Sequence, residues 1–424
     1  MATPKIAIIG AGPAGCMLAR LLHQSSIPVT IFESEASPNY RSQGGTLDLH
    51  TSTGLAALKE ANLFEQFLSH ARYDGDHLQI TDQDFKVHLE VVGSPAPVDQ
   101  PSSHTRQQRP EIDRSDLRRI LTESLPPDMI HWDHHLVSFN PDTRTLVFKN
   151  GTTHSNYDLV VGADGAWSKI RTAIAPVTGK PIPAGVGMFE LTIPRAKETV
   201  PELSTAIKGG NVFAHQEFRR LCVQQMGDGS LSVYAIKKED DPGWVDKLDF
   251  DVGDLDAVKR HLLGGENAPF GKWHPLLRMA IEKAEGKATP RTFYQLPVGF
   301  EWEHREGVTL IGDAAHLMTP FAGEGVNVAL EDAMRLARAV SGGDKDGLDG
   351  RVKELEREMW RRAERVARLT DQLTRLWMFE TGTPGSVIVR TSALHVNFDT
   401  PAIFHPFTSL LLRGYLFYKG LVGW

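Results

Sequence analysis

Four apolar residues followed by three spaced glycines constrain this chain more than any other stretch: KIAIIGAGPAGCMLARLL, residues 5–22. Ile6, Ala7, Ile8 and Ile9 read as a short strand buried on both faces. Gly10, Gly12 and Gly15 complete G-x-G-x-x-G, and Cys16, Leu18, Ala19 and Leu22 continue at helical spacing. In that context Gly10 permits the tight turn, Gly12 lets a pyrophosphate approach the backbone, and Gly15 lets helix and strand pack closely. The helix N-terminus offers unpaired N–H groups and a partial positive charge to phosphates. Alone the motif is weak. An acidic residue about twenty positions on, ending a second strand, makes it specific. VTIFES supplies it: Val29 to Phe32 is strand-like, and Glu33 follows, placed to hydrogen-bond a ribose 2′-hydroxyl. The expected ligand is an adenine dinucleotide.

At 424 residues the chain exceeds one ordinary domain and implies two, with room for a terminal appendage. A net charge of −7 argues against a general nucleic-acid binder, which would show a basic surplus. Cys16 and Cys222 are the only cysteines, so no disulfide framework and no cysteine-based metal site is expected. Cys16, on the apolar side of the first helix, reads as a buried structural thiol. The first strand starts almost at once, without a signal-peptide pattern, and no run of about 18 apolar residues follows. The expected location is the cytoplasm.

Along the chain, GSPAPVDQPSSH reads as a surface loop, and RPEIDRSDLRRILTESL resumes helix with Asp113 or Ser115 as N-cap. TLVFKNGTTHSNYDLVVGADG contains an Asn-Gly hairpin signal, and LCVQQMGDGSLSVYAI is a second pair of strands about a turn. The fold class expected is α/β. A discontinuous Rossmann-like nucleotide domain would comprise 1–75, 105–180 and 291–345. A mostly antiparallel β-sheet substrate domain would comprise 76–104 and 181–290. Val352, Leu355, Met359, Ala363, Val366, Thr370, Leu373 and Trp377 then recur every three or four residues, the stripe of a long helix over 350–380. Residues 381–424 form an apolar tail. Its stretch FHPFTSLLLRGYLFYKGLVGW is broken by Pro406, Arg413 and Lys419, too interrupted to span a bilayer. Packing over the protein's own apolar surface is favoured for it over lying on a membrane surface.

Two further strand ends turn the dinucleotide into a flavin. DLVVGADGAWSKIR ends a strand at Asp164-Gly165 and is followed by Arg171. VTLIGDAAHLMTPFAGEGVNVALEDA ends a strand at Asp313, then passes through a Pro-Gly loop into a helix near Gly325. An Asp at either strand end can accept a hydrogen bond from a ribityl hydroxyl. The helix near Gly325 can aim its N–H groups at a flavin pyrimidine ring, where negative charge gathers on reduction, and Gly323 and Gly325 let backbone meet the ring edge.

With these motifs in this order, the chain resembles the single-component FAD-dependent aromatic hydroxylases, the class A flavoprotein monooxygenases. GGTLDLH, PEIDRSDLR, WSKIR and IGDAAHLMTPFAGEGVN are similar to stretches of the tetracycline-inactivating flavin monooxygenases within them. The resemblance covers most of residues 5–340. It implies that Glu33, Asp48, Arg114 and Asp313 contact FAD, with Arg41 near the NAD(P)H approach. It also implies the reaction: NAD(P)H reduces FAD, O2 adds at the flavin C4a, and the hydroperoxide gives one oxygen atom to an electron-rich carbon of a polycyclic or phenolic small molecule. Reduction at an exposed ring and oxygen chemistry in a dry pocket imply a flavin that moves, with Gly44, Gly45, Gly323 and Gly325 beside it. The cofactor carries the difficult chemistry, so no catalytic side chain is assigned.

Departures from that family bear on the substrate. Thr192, Gly210 and Ser232 stand where the tetracycline enzymes carry Gln, Arg and His contacts, and Pro320 and Phe321 join them as candidate substrate residues. Losing hydrogen-bonding reach there implies another ligand and weak turnover of tetracycline. Glu324 replaces the usual neutral residue between two glycines; a solvent-facing Glu at the helix start is favoured over a carboxylate near the flavin. His316 reads as a hydrogen-bonded structural residue before a general base, and HWDHH at 131–135 as surface before metal ligands. The competing activities are an FAD-dependent reductase or oxidase that inserts no oxygen, and a flavin-binding protein without turnover.

Overall fold

A computed structural model describes residues 3–38, 44–73, 77–92, 109–344 and 346–400. Arg41 and the tail beyond residue 400, including FHPFTSLLLRGYLFYKGLVGW, lie outside them, as does the whole Pro-rich stretch GSPAPVDQPSSH. The chain clusters into two compact units. One comprises Met1–Ala71, Ser103–Ile182 and Tyr294–Arg368; the other comprises Arg72–Ser102, Pro183–Phe293 and Leu369–Trp424.

The first unit is built on a five-stranded parallel sheet, ordered Val308–Leu310, Leu159–Gly162, Ile6–Ile9, Val29–Phe32 and Ile130–His131. Every residue of Ile6–Ile9 is buried, as a strand covered on both faces requires. The helix Pro13–Gln24 leaves its end and packs against the helix Gly325–Ser341. A short antiparallel pair, Thr46–Asp48 with Glu111–Asp113, leads into the helix Arg114–Glu123. Asp113 is the N-cap residue there by position, without a side-chain bond to the helix. The Asn-Gly hairpin joins Thr145–Phe148 to Thr153–His154, with Gly151 at φ +85°.

His131 and His134, expected at the surface, are half-buried instead. They pack as aromatic rings with His154 around Phe32 and Phe148, whose centroids lie 4.8 Å apart. Burial lowers the pKa of His131 and of His154, the neighbouring imidazoles adding to it. HWDHH ends a strand that adds to the parallel sheet beside Phe32, and that neighbour draws its rings inward.

The second unit is a seven-stranded sheet, ordered Glu285–Gln295, Ile182–Ile193, Leu231–Lys238, Arg219–Gln225, Asn211–Gln216, Leu78–Asp82 and Val87–Val91. Its centre is antiparallel, with one parallel contact between Asn211–Gln216 and Leu78–Asp82. Alternation along the strands sends Phe189, Leu191, Val212, Ala214, Leu221, Val223, Val233 and Ala235 to an apolar core with Trp244, Trp273 and Leu277. The opposite face receives the residues between them.

The long helix is Leu348–Met378, and the division between the units falls within it. Glu356, fully buried on this helix, accepts hydrogen bonds from Trp302, His304 and Thr309, which ties the helix to the parallel sheet. Burial raises the Glu356 pKa despite those donors. The apolar tail is not uniform: Pro384–Asp399 forms a helix that Thr383 caps by accepting from the Ser386 N–H. Of its described side chains, only Val387 and Ile388 are buried. Among the described residues, no helix is long and apolar enough to cross a membrane.

Candidate active site

The three fingerprint glycines answer to different neighbours. Gly10 has φ +107°, and a Cβ there would lie 2.3 Å from the Ala163 carbonyl oxygen. A Cβ on Gly15 would lie 2.1 Å from the Gly10 oxygen. Both glycines are therefore required by the protein's own packing. Gly12 is extended, with φ −75°, and nothing lies within 4 Å of where its Cβ would be. No protein atom demands glycine at that point, and the backbone there faces open space. Pro13 opens the helix, so the N–H groups of Ala14 and Gly15 face the same opening without intrahelical acceptors.

Glu33 closes this cradle. Its buried carboxylate accepts from the Ala11 N–H at 2.6 Å, the Glu35 N–H at 2.9 Å and the Ser34 hydroxyl at 3.0 Å. Those donors take three of a carboxylate's roughly four lone-pair positions, which leaves one for a hydroxyl. Beneath the turn, burial and then Glu33 push the Cys16 thiol up to about 12, so it is an inert structural group. A buried ion pair, Arg118 to Glu35 at 2.5 Å, adjoins Glu33; nothing in the sequence marked it.

Asp164 and Asp313 end adjacent strands but differ in role. The Asp164 carboxylate accepts from the Ser168 hydroxyl at 2.5 Å, the Lys169 N–H at 2.7 Å and the Ile170 N–H at 3.4 Å. These donors start the helix Lys169–Ile174 and, as at Glu33, leave about one lone-pair position of the carboxylate. Burial raises its pKa. Asp313 is exposed at the start of the helix Asp313–His316. Gly312 before it has φ +62°, and a Cβ there would reach Ala14 at 3.2 Å and Ala329 at 3.4 Å, so both major helices crowd this turn. Arg171, 0% exposed, bonds the Gly179 carbonyl at 2.7 Å and the Asp313 and Ala314 carbonyls at 3.2 and 3.0 Å. It is a positioning residue that locks one motif to the other.

His316 is similarly committed. Its Nε2 lies 2.5 Å from Asp332 Oδ2, while Asp332 Oδ1 accepts from Arg362 at 2.8 Å and Oδ2 from the Gly312 N–H at 3.2 Å. Burial alone would lower the His316 pKa, but the Asp332 charge and hydrogen bond outweigh it and raise it. This is a structural histidine.

Around the start of Gly325–Ser341, a second cradle forms. Gly325 has nothing within 4 Å of a Cβ position, and a Cβ on Gly323, at φ +71°, would lie 3.4 Å from Asp48 Oδ1. Asn327, fully buried, donates to the Asp48 carbonyl at 2.9 Å and accepts from the His50 N–H at 2.8 Å and the Thr53 hydroxyl at 3.3 Å. It staples the loop after Thr46–Asp48 to the first helical turn. His50 Nε2 lies 3.1 Å from Asp48 Oδ2, and its Nδ1 lies 3.4 Å from Glu324 Oε2. The Glu324 side chain is only 13% exposed and turns to His50, which overturns the solvent-facing expectation. The sequence missed Asn327 and His50. Arg114 is exposed, its N–H bonded to the Gly45 carbonyl at 3.1 Å. Pro320 is exposed and Phe321 half-buried in the adjoining 3-10 turn.

In the second unit, Thr192 pairs with Ser232 across two strands, so both share the face opposite the apolar core. Thr192 is exposed and Ser232 buried. A Cβ on Gly210 would lie 2.1 Å from the His77 carbonyl oxygen, so strand packing requires glycine at this position. The same polar face holds His215, 1% exposed, opposite Arg220 in the register. The Arg220 guanidinium lies between the Phe213 and Trp377 rings, 4.6 and 4.5 Å from their centroids. Burial, then the Arg220 charge, lower the His215 pKa to about 4.

Comparison with known proteins gives this arrangement its relatives. The model of the FAD binding domain family matches residues 3–208 and 300–370. Monooxygenase asqM of Emericella nidulans is 32% identical over 427 residues, covering 86% of this chain and 94% of that protein. The structure of 2,6-dihydroxypyridine-3-hydroxylase from Arthrobacter nicotinovorans shares the fold with a TM-score of 0.73 at 17% identity, covering 91% of this chain and 95% of that one. Tetracycline destructase Tet(55) shares it with a TM-score of 0.67 at 18% identity, covering 93% and 96%.

Proposed function

This chain belongs to the FAD binding domain family, and we propose that within it the protein uses NAD(P)H and O2 to place one oxygen atom on a phenolic or polycyclic small molecule. It is an FAD-dependent monooxygenase. The observation that carries the assignment of its site is the pair Gly12 and Gly325, two glycines at helix starts over which no protein atom lies. The first would take the pyrophosphate and the second the pyrimidine edge of the ring. Glu33 would hold the adenosine ribose, Asp313 the ribityl chain, and Asp48 and Arg114 would adjoin the cofactor. Bound FAD supplies the redox chemistry. The chain binds it, orients the substrate and excludes water.

We take 1–75, 105–180 and 291–345 as the FAD-binding domain, and 76–104 with 181–290 as the substrate domain. Thr192 and Ser232 in the second unit, with their short hydroxyls, and Pro320 and Phe321 in the first are the candidate substrate residues. This set lacks the long polar side chains that the resemblance to tetracycline-inactivating enzymes leads one to expect, so tetracycline should be turned over weakly or not at all. Cys16 and Cys222, both free and buried, suit the reducing cytoplasm in which we place the protein.

The test is to screen phenolic and polycyclic compounds for stimulated NADPH oxidation and to trace labelled O2. One labelled atom in the product is the expected result. Hydrogen peroxide alone with every stimulating ligand would establish an oxidase, and efficient tetracycline hydroxylation would overturn the substrate reading.

A further inference from the structure

We infer, from the proposed placement of the adenosine ribose at Glu33, that Arg118 is the donor half of that site, giving an N–H to the oxygen of the hydroxyl that donates to Glu33. A hydroxyl both donates and accepts, whereas a carboxylate only accepts and a guanidinium only donates. Glu33 alone therefore reads half of a hydroxyl. Its one open lone-pair position takes the ligand's proton and leaves the ligand's oxygen without a donor.

Arg118 has donors to spare. It stands on the helix Arg114–Glu123 and is 6% exposed. Its Nη2 donates to Glu35 at 2.5 Å. Nε and Nη1 are buried with no hydrogen-bond partner in the protein, and they carry three of the five N–H bonds of a guanidinium. Arg171, in the same unit, is the contrast. Its Nε, Nη1 and Nη2 all donate to carbonyls, those of Gly179, Asp313, Ala314 and Ala166. The ion pair with Glu35 needs one positive charge and one N–H, which a lysine would supply. The rest of the planar fork is free for another acceptor, and a ligand that completes a buried donor is held the more tightly for it.

The neighbours put this fork beside the ribose acceptor. Glu35 holds it, and the Glu35 N–H donates to one Glu33 oxygen at 2.9 Å. The Ala11 N–H donates to the other, and the Ala11 carbonyl lies 3.3 Å from Cys16 Sγ. Burial raises the Cys16 pKa most, Glu33 adds to the rise and Arg118 opposes it, so the thiol lies within reach of both charges. Glu33, Glu35, Cys16 and Arg118 thus meet at the turn that carries Gly10 and Gly12.

The experiment is the dissociation constant of flavin-free protein for FAD and for FAD built on 2′-deoxyadenosine, using wild type, Arg118→Lys and the double variant Arg118→Met with Glu35→Gln. The lysine keeps a charge beside Glu35, and the double variant removes both charges, so neither leaves Glu35 as an unpaired buried anion. Wild type should bind the deoxy cofactor about tenfold or more weakly than FAD. Both variants should lose about tenfold in FAD affinity and nothing further for the deoxy cofactor. Variants that hold FAD as tightly as wild type, or lose equal affinity for both cofactors, would overturn the inference and leave Arg118 a structural residue. Equal binding of the two cofactors by wild type would overturn the placement of the ribose along with it.

Discussion

The cradle around Gly12 and the polar sheet face around His215 solve the same problem, keeping polar groups in place at a buried site, by opposite means. In the cradle, backbone N–H groups and glycines do the work, and side chains such as Glu33 and Asn327 hold the backbone. In the same unit buried His316 has Asp332, and buried Glu356 has three donors. On the sheet face the polar groups are side chains set by strand register, and a buried imidazole sits beside a buried cation. A cofactor shared by a whole family suits the first construction. A substrate that varies from one member to another suits the second, since exchanging a side chain leaves the sheet intact.

The largest effects should come from breaking the cradle's backbone. Gly10→Val places a Cβ on the Ala163 carbonyl at a φ that L-residues avoid, and should leave no stably folded protein, a loss beyond about 4 kcal/mol. The Cβ of Gly12→Ala meets no protein atom within 4 Å, so its melting temperature should stay near wild type while its FAD content collapses. Equal destabilisation by both would show that Gly12 also serves packing. Next in size is Asp332→Ala, which strands buried His316, takes one of two carboxylate partners from half-buried Arg362, and should cost about 3–5 kcal/mol in denaturant unfolding.

How much of this was legible follows from sequence distance. Gly10, Gly12, Gly15 and Glu33 lie within one βαβ unit, and spacing alone gives each its place. The resemblance to the FAD-dependent hydroxylases, read from those motifs and from GGTLDLH and IGDAAHLMTPFAGEGVN, holds for the family. Asp164 and Asp313 look alike as strand-end aspartates, and the bond from Ser168 to the first is a local one, four residues away. Asn327 and His50, 277 residues apart, had no such cue, because their contact exists only once a strand-end loop meets a distant helix. That a Cβ on Gly210 would meet the His77 carbonyl had no cue either, since the contact is made across two strands.

The two buried histidines sharpen the comparison through pH. His316 is raised, so its protonated form stabilises the fold. That contribution is fully present below the unfolded value near 6.5 and is lost as pH rises through the higher folded value. His215 is lowered to about 4, so its contribution has the opposite sign: present above about 6.5 and lost as pH falls towards 4. The latter amounts to about 3 kcal/mol at most. Stability measured from pH 8 to pH 4 should therefore lose its acid-side slope in His215→Gln and its alkaline-side slope in His316→Gln. An unchanged acid slope in His215→Gln would mean that the imidazole is hydrated or otherwise paired in solution.

Smallest is the effect expected at the hydroxyl pair. Thr192 and Ser232 are cross-strand neighbours on one face, and neither anchors the sheet through its side chain in the way Arg171 anchors the cradle. Thr192→Val and Ser232→Ala should leave stability within about 0.5 kcal/mol and FAD content unchanged. If both hydroxyls hydrogen-bond the substrate, each loss should cost about 1 kcal/mol of binding, roughly fivefold in KM. Two groups touching one ligand should also fail to add in the double variant. Unchanged KM in both single variants would move recognition to the His215–Arg220 side of the same face. Strict additivity would place the hydroxyls on separate parts of the ligand. Either result would be read on a sheet whose fold, unlike that of the cradle, survives the change.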